Sequence, residues 1–246
     1  MEHHNNFIIK YNLATPIAII IAGALIAASI SFGGKSVGNS TTVDAVAPDQ
    51  KAPSVGAKIV DVAKVKTSGE PYIGKANAPV TMAFWSDYQC PFCKKFDTSV
   101  ISQLESDYVA KGKLRIIFKD FAFLGADSDT AALAERAVWE VNPAKFYEWH
   151  KAMFTKQDAE NGGWGDKDDI LALTNTILGS YESDKVATLM VQKQAQYQKA
   201  IDAAKAEGGN FGVNGTPASI VGKTFINGAQ SYSTVKAAID QALADK

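Results

Sequence analysis

The sequence predicts an α/β fold whose core is interrupted by a block of helices, and three observations carry that reading. A short apolar and β-branched run at Pro79–Trp85 leads into an amphipathic helix and then a second run at Leu114–Phe118, a strand, helix and strand in order. From about Ser128 to Gly208 the spacing is helical throughout. The chain then ends on two short strands, 218–221 and 224–226, around Gly222-Lys223, and a last helix from about Ser231 to Ala244.

Taken in chain order, the first feature is the stretch ATPIAIIIAGALIAASISFGG at 14 to 34, which carries no charge and is long enough to span a bilayer. It is followed directly by GKSVGNSTTVDAVAPDQKAPSVG, a Gly, Ser, Thr and Pro-rich tether. The competing reading is a cleaved signal peptide, but the small-x-small stretch Ala45-Val46-Ala47 lies well past the apolar run, which favours an uncleaved anchor. Either way the remainder of the chain is expected outside the cytoplasm, in the periplasm or at the outer cell surface, or secreted if the segment is removed. Disulfides persist in such compartments. The expected parts are a tail at 1–13, a transmembrane anchor or signal sequence at 14–34 in contact with the lipid bilayer, and a flexible linker at 35–57. A first part of the core at 58–127, a helical insertion at 128–208 and a second part of the core at 209–246 complete the chain.

The first strand of the core enters YQCPFCKKF at 88 to 96, which holds both cysteines of the 246-residue chain. Beyond it Phe92, Phe96, Val100, Leu104 and Tyr108 recur at intervals of four, with Ile101 beside them, as one apolar stripe on a helix. Leu114–Phe118 after Gly112 then completes a βαβ unit with a parallel strand pair. The helical block reads as SDTAALAERAVWEV, PAKFYEWHKAMF, DKDDILALTNTIL and SDKVATLMVQKQAQYQKAIDAAKAEGG, with breaks at Asn142-Pro143, at NGGWG (161 to 165) and at Gly179-Ser180.

Composition narrows the function. A net charge of −1, with 46% apolar and 21% charged residues, carries no electrostatic bias toward nucleic acid. A chain of this size needs no covalent staple, and a bridge across two residues removes little chain entropy, which weighs against a purely structural disulfide. Zinc wants four ligands, and the chain offers no second cysteine pair and only His3, His4 and His150 as nitrogen donors. The first two precede the apolar run, and His150 reads as an ordinary helix residue. The acidic stretch DAENGGWGDKDD at 158 to 169 misses the alternating spacing of a calcium loop and reads as capping and solvation. No metal and no cofactor is expected.

A redox pair fits the placement better. With Cys90 at the N-cap and Pro91 at the first helical position, Cys93 lies one turn on, close enough to bridge. The unpaired N–H groups and the positive end of the helix dipole stabilise a Cys90 thiolate. A stable thiolate in the reduced protein makes the disulfide oxidising toward other thiols, with Cys93 as the resolving partner.

Four segments resemble the thioredoxin-like DsbA group, in particular its bacterial membrane-anchored or secreted members: WSDYQCPFC (85 to 93), LRIIFKDF (114 to 121), VNGTPASIV (213 to 221) and INGAQSY (226 to 232). The similarity covers about residues 70 to 246. It implies a thioredoxin fold split by a helical insertion, with Cys90 and Cys93 catalytic and Pro91, Phe92 and Thr216 tuning the pair. It further implies that Thr216-Pro217 is a cis peptide against the cysteines, whose backbone binds an extended substrate. The activity implied is thiol–disulfide oxidation, with reduced or misoxidised exported proteins as substrates and a quinone-linked membrane partner for reoxidation. Disulfide reduction or isomerisation at the same site, or a peptide-binding or chaperone module with inert cysteines, are the alternatives. One departure stands out: where family members often carry a Glu, this chain has Phe84, which leaves Asp87 as a nearby acid suited to turn and cap bonding; Lys119 reads as a solvated strand-end charge, while its family position implies a place near the core.

Overall fold

A computed structural model of the chain describes residues 60–246. The expected tail, anchor and linker all lie outside the described residues; among the described residues no helix is long and apolar enough to cross a membrane. The strands are β1 (Tyr72–Ile73), β2 (Val80–Ser86), β3 (Leu114–Asp120), β4 (Ala218–Val221) and β5 (Thr224–Asn227). They form one five-stranded sheet in the order β1-β3-β2-β4-β5.

β2 and β3 pair in parallel from Val80↔Leu114 to Ser86↔Asp120, as the βαβ reading requires. β4 then lies antiparallel on the other side of β2, from Met82↔Val221 to Trp85↔Ala218. The β4–β5 hairpin turns at Gly222, whose φ of +56° suits glycine. β2 is covered on both faces, which is why its sequence is an apolar run rather than an alternation. Met82 and Phe84 point into the main core, while Ala83 and Trp85 point into a smaller one on the opposite face.

The crossover between β2 and β3 is a helical run, α1 (91–109), which begins as the regular segment Pro91–Phe96. It continues through wide π-type turns at Asp97–Ile101 and Glu105–Val109, with Ser102–Leu104 between them. Repeats of four overshoot a 3.6-residue turn by about 40° each, and the wider turns bring the stripe back to one face. Phe96, Val100, Ile101, Leu104 and Tyr108 are accordingly buried. Phe92 departs from the expected stripe: it is 62% exposed, on a different side of the first turn of α1 from the fully buried Cys93.

The insertion follows as α2 (Ala126–Val141), α3 (Phe146–Lys156), α4 (Lys167–Leu178) and α5 (Ser180–Gln192), with the breaks where the sequence places them. Asp166 caps α4 by accepting from the Asp169 N–H. The stretch read as one long helix divides at Lys193 (φ −109°, ψ 14°), and α6 (Gln194–Phe211) continues from there. A tertiary tie marks the division, since Lys193 pairs with Glu140 of α2 and the Tyr197 hydroxyl donates to the same carboxylate at 2.9 Å. α6 seats on the sheet where the Trp85 indole donates to the Ala204 carbonyl at 3.0 Å. α7 (Tyr232–Ala244), capped by Ser231, closes the main core through Val235 and Ile239.

Candidate active site

β2 runs out at Ser86, and the chain must reverse from strand to helix within a few residues. Asp87 organises that turn. Its buried carboxylate accepts from the Gln89 N–H at 2.8 Å and the Ser128 hydroxyl at 2.6 Å. It also accepts from the N–H groups of Phe123 at 2.9 Å and Leu124 at 3.3 Å. The local turn bonding expected of Asp87 is present, and the same group also ties down the loop after β3.

Cys90 then takes the N-cap position with extended backbone (φ −78°, ψ 117°), and Pro91 opens the helix. The Cys90 carbonyl accepts from the Cys93 and Lys94 N–H groups at 3.0 and 3.1 Å. Both cysteines are free thiols, Cys93 wholly buried and Cys90 nearly so.

The two sulfurs differ sharply in acidity. The Cys93 thiol as hydrogen-bond donor is the largest influence on Cys90, aided by the Thr216 contact and the N–H groups of Cys93 and Phe92. These outweigh burial and lower Cys90 from an ordinary 9.0 to about 6. Cys93 is pushed well above its ordinary range by burial first, and by its donation to the neighbouring Cys90 second. One thiolate is therefore available at neutral pH, and the other sulfur holds its proton.

The opposite wall comes from far along the chain. The Thr216–Pro217 peptide is cis, and the Cys90 thiol lies 3.4 Å from the Thr216 carbonyl oxygen. Beside this contact a shallow groove of about 350 Å³ is lined by Phe92, Lys95, Thr216, Pro217, Gly228 and Ala229. The structure thus brings the run Cys90, Pro91, Phe92 and Cys93 together with Thr216 and Pro217, more than a hundred positions further along the chain. Exposed Phe92 supplies apolar surface to the groove.

Three neighbours read differently in the structure. Phe84 is fully buried against Phe96 and Phe118, at ring centroid distances of 5.5 and 6.2 Å, so the position is part of the aromatic core. Lys119 is not a solvated strand end: its ammonium group is buried between Glu70 at 3.1 Å and Glu207 at 2.8 Å, and donates to the Lys66 carbonyl at 3.0 Å. His150 is fully buried, with Tyr88 on one ring nitrogen and Asp97 on the other. A lone histidine within a helical apolar pattern carries no signal for such partners, because they come from residues 62 and 53 positions away.

A sheet of this topology with two thiols of unequal acidity at the start of its crossover helix is the frame of a thiol–disulfide oxidoreductase, and known proteins place the chain in that class. The family model described as thioredoxin matches residues 66–241. The chain therefore belongs to the thioredoxin family, and its likenesses are to DsbA-like members. Disulfide bond formation protein D of Bacillus subtilis is 27% identical over 183 residues, covering 72% of this chain and 79% of the relative. Among solved structures, oxidised BdbD from Bacillus subtilis matches with a TM-score of 0.67 and 24% identity, over 73% of this chain and 95% of that one. The thiol-disulfide exchange protein α-DsbA2 of Wolbachia pipientis matches with a TM-score of 0.62 and 25% identity, over 70% of this chain and 86% of that one.

Proposed function

We propose that this oxidoreductase is a dithiol oxidase that forms disulfide bonds in exported proteins through its Cys-Pro-Phe-Cys pair. The observation that carries the reading is the opposed acidity of the two sulfurs: Cys90 lowered to about 6, Cys93 raised. In the oxidised enzyme a substrate thiolate attacks the Cys90 sulfur, and the Cys93 thiolate leaves and takes up a proton. A second substrate thiolate then attacks the substrate sulfur of the mixed disulfide, which forms the substrate disulfide and releases Cys90 as a stable thiolate. The electron pair stays on the enzyme as the dithiol. Thiolate stability in the reduced state is what pulls this exchange forward. Cys93 is the resolving thiol that cleaves mixed disulfides which stall.

The groove beside Thr216 and Pro217 receives the substrate as an extended segment, with Phe92 in apolar contact. Phe92 and Thr216 also tune the pair, through the Phe92 N–H and the Thr216 side chain, both of which favour the Cys90 thiolate. The name disulfide bond formation protein carried by the Bacillus relatives supports disulfide formation as the reaction. The uncharged run at 14–34 supports a single-pass anchor with the catalytic part held outside the cytoplasm on the 35–57 tether. Each cycle leaves the enzyme reduced, so a membrane acceptor of the quinone-linked type completes the scheme. The domain plan that goes with it is a core of 58–127 and 209–246 with the helices of 128–208 inserted.

The test is the reduction potential of the Cys90–Cys93 pair, measured in glutathione buffers on the full chain. An oxidase gives a value near or above that of protein disulfide isomerase, about −180 mV. A value near that of thioredoxin, about −270 mV, assigns the site to reduction and overturns the proposal.

A further inference from the structure

One side chain of the insertion holds the redox motif from both sides. His150 lies in the middle of α3 with no exposed surface. Its Nδ1 is 2.6 Å from the Tyr88 hydroxyl, and its Nε2 is 2.9 Å from Asp97 Oδ2. Tyr88 is two residues before Cys90, and Asp97 is four residues after Cys93, where its N–H donates to the Cys93 carbonyl. Nε2–H donates to the Asp97 carboxylate, and the Tyr88 hydroxyl, which also faces the buried Glu135 carboxylate, donates to Nδ1.

The end of α3 repeats the arrangement. Gln157, also buried, donates from Nε2 to the Tyr88 carbonyl and accepts from Lys94 Nζ, both at 2.5 Å. The histidine ring is enclosed by Tyr88, Phe118, Phe146, Tyr147 and Phe154, with centroids between 4.4 and 6.1 Å away. An apolar side chain would fill such a site without the cost of burying two ring nitrogens. In this dry surround, hydrogen bonds to a charged partner are strong and directional.

We propose that His150 is a positioning residue for the Cys90–Cys93 pair: from the insertion it fixes both ends of the 88–97 segment, and so the aim of the first helical turn at the Cys90 sulfur. This rests on the reading of the pair as the redox centre. The N–H groups of Phe92 and Cys93 stabilise the Cys90 thiolate only while that turn keeps its orientation. Loosening either end lets the turn tilt, weakens the thiolate and makes the disulfide less oxidising.

The experiment uses the full chain and reads two quantities, the thiolate absorbance of Cys90 against pH and the potential of the pair in glutathione buffers. His150→Phe keeps ring volume and removes both bonds. The expected result is a folded protein by circular dichroism whose thiolate titrates at higher pH and whose equilibrium constant for oxidising glutathione falls roughly tenfold, about 30 mV. His150→Gln and His150→Asn each keep one of the bonds, and each is expected to recover part of the shift. Where His150→Phe does not fold, Tyr88→Phe removes one end of the clamp by deleting a single hydroxyl and is expected to shift both readings in the same direction. A folded His150→Phe, or failing that a folded Tyr88→Phe, with wild-type titration and potential overturns the proposal. A wild-type chain whose cysteines show no reversible couple at all instead overturns the redox reading on which it rests.

Discussion

At Cys90, acidity and stability are linked, and the link has a definite sign. The folded thiol titrates near 6 and the unfolded one near its ordinary 9.0, so between these values the unfolded state holds a proton that the folded state has released. Stability of the reduced protein therefore rises with pH through this window, by at most about 1.4 kcal/mol per pH unit, is complete above 9, and is lost as pH falls through 6. Cys93, raised in the folded state, acts in the opposite sense and only above its unfolded range. The expected outcome is a thermal midpoint of the reduced protein that climbs from pH 6 to pH 8.5 relative to Cys90→Ser, which lacks the thiol. Parallel midpoint curves for the two proteins across that range would show that the Cys90 thiolate contributes no folding energy.

Among elements, α6 shows how closely the layers meet behind the active-site strand. A Cβ on Gly208 would lie 2.8 Å from the Trp85 indole nitrogen, and Trp85 is fully buried, so the ring has nowhere to retreat. Gly208→Val is expected to cost about 2 kcal/mol, since overpacking costs about 1–3 kcal/mol and outweighs the small gain in helix propensity. Urea denaturation with an unchanged midpoint would contradict the close approach. The glycine itself was visible in the sequence only as the end of a helical run; its contact was not, because Trp85 is 123 positions away. The same distinction runs through the other elements. Strands β2, β3, β4 and β5 and the helix breaks at Pro143, at 161 to 165 and at Gly179 are local patterns of burial, propensity and turn chemistry, and all were legible. The two-residue β1 is too short to show periodicity, and the break at Lys193 depends on Glu140 from another helix. At the site, the N-cap geometry of Cys90 could be read from Pro91 and the stripe beyond it, and Thr216-Pro217 from family resemblance. His150 could not, since its partners meet only after α3 has docked on α1.

Across the whole molecule, a buried chain of charges joins parts that are remote in sequence. Lys119 of β3 bridges Glu207 of α6 and Glu70 from the segment before β1. Glu70 also pairs with Arg136 of α2 at 2.7 Å, and Arg136 Nε donates to Asp120 of β3 at 2.6 Å. The sheet, the segment before it and the first and last helices of the insertion are thus pinned together through β3. Such a network is weak evidence of net stability, because each charge also lost its water, but it is sensitive to the loss of one member. Lys119→Met keeps the length of the buried stem and removes the charge. Glu70 retains Arg136, and Glu207 is partly exposed and can rehydrate, so the expected loss is near the lower end of the range for a broken buried pair, about 3 kcal/mol. Adding Glu70→Gln to Lys119→Met removes the carboxylate that Lys119 had faced, so the double variant is expected to be less destabilised than the sum of the two single changes. Denaturant titration of the three variants measures that coupling. Additive losses, or a Lys119→Met protein within 1 kcal/mol of wild type on the scale expected for a surface pair, would place Lys119 in water rather than at the junction of the layers.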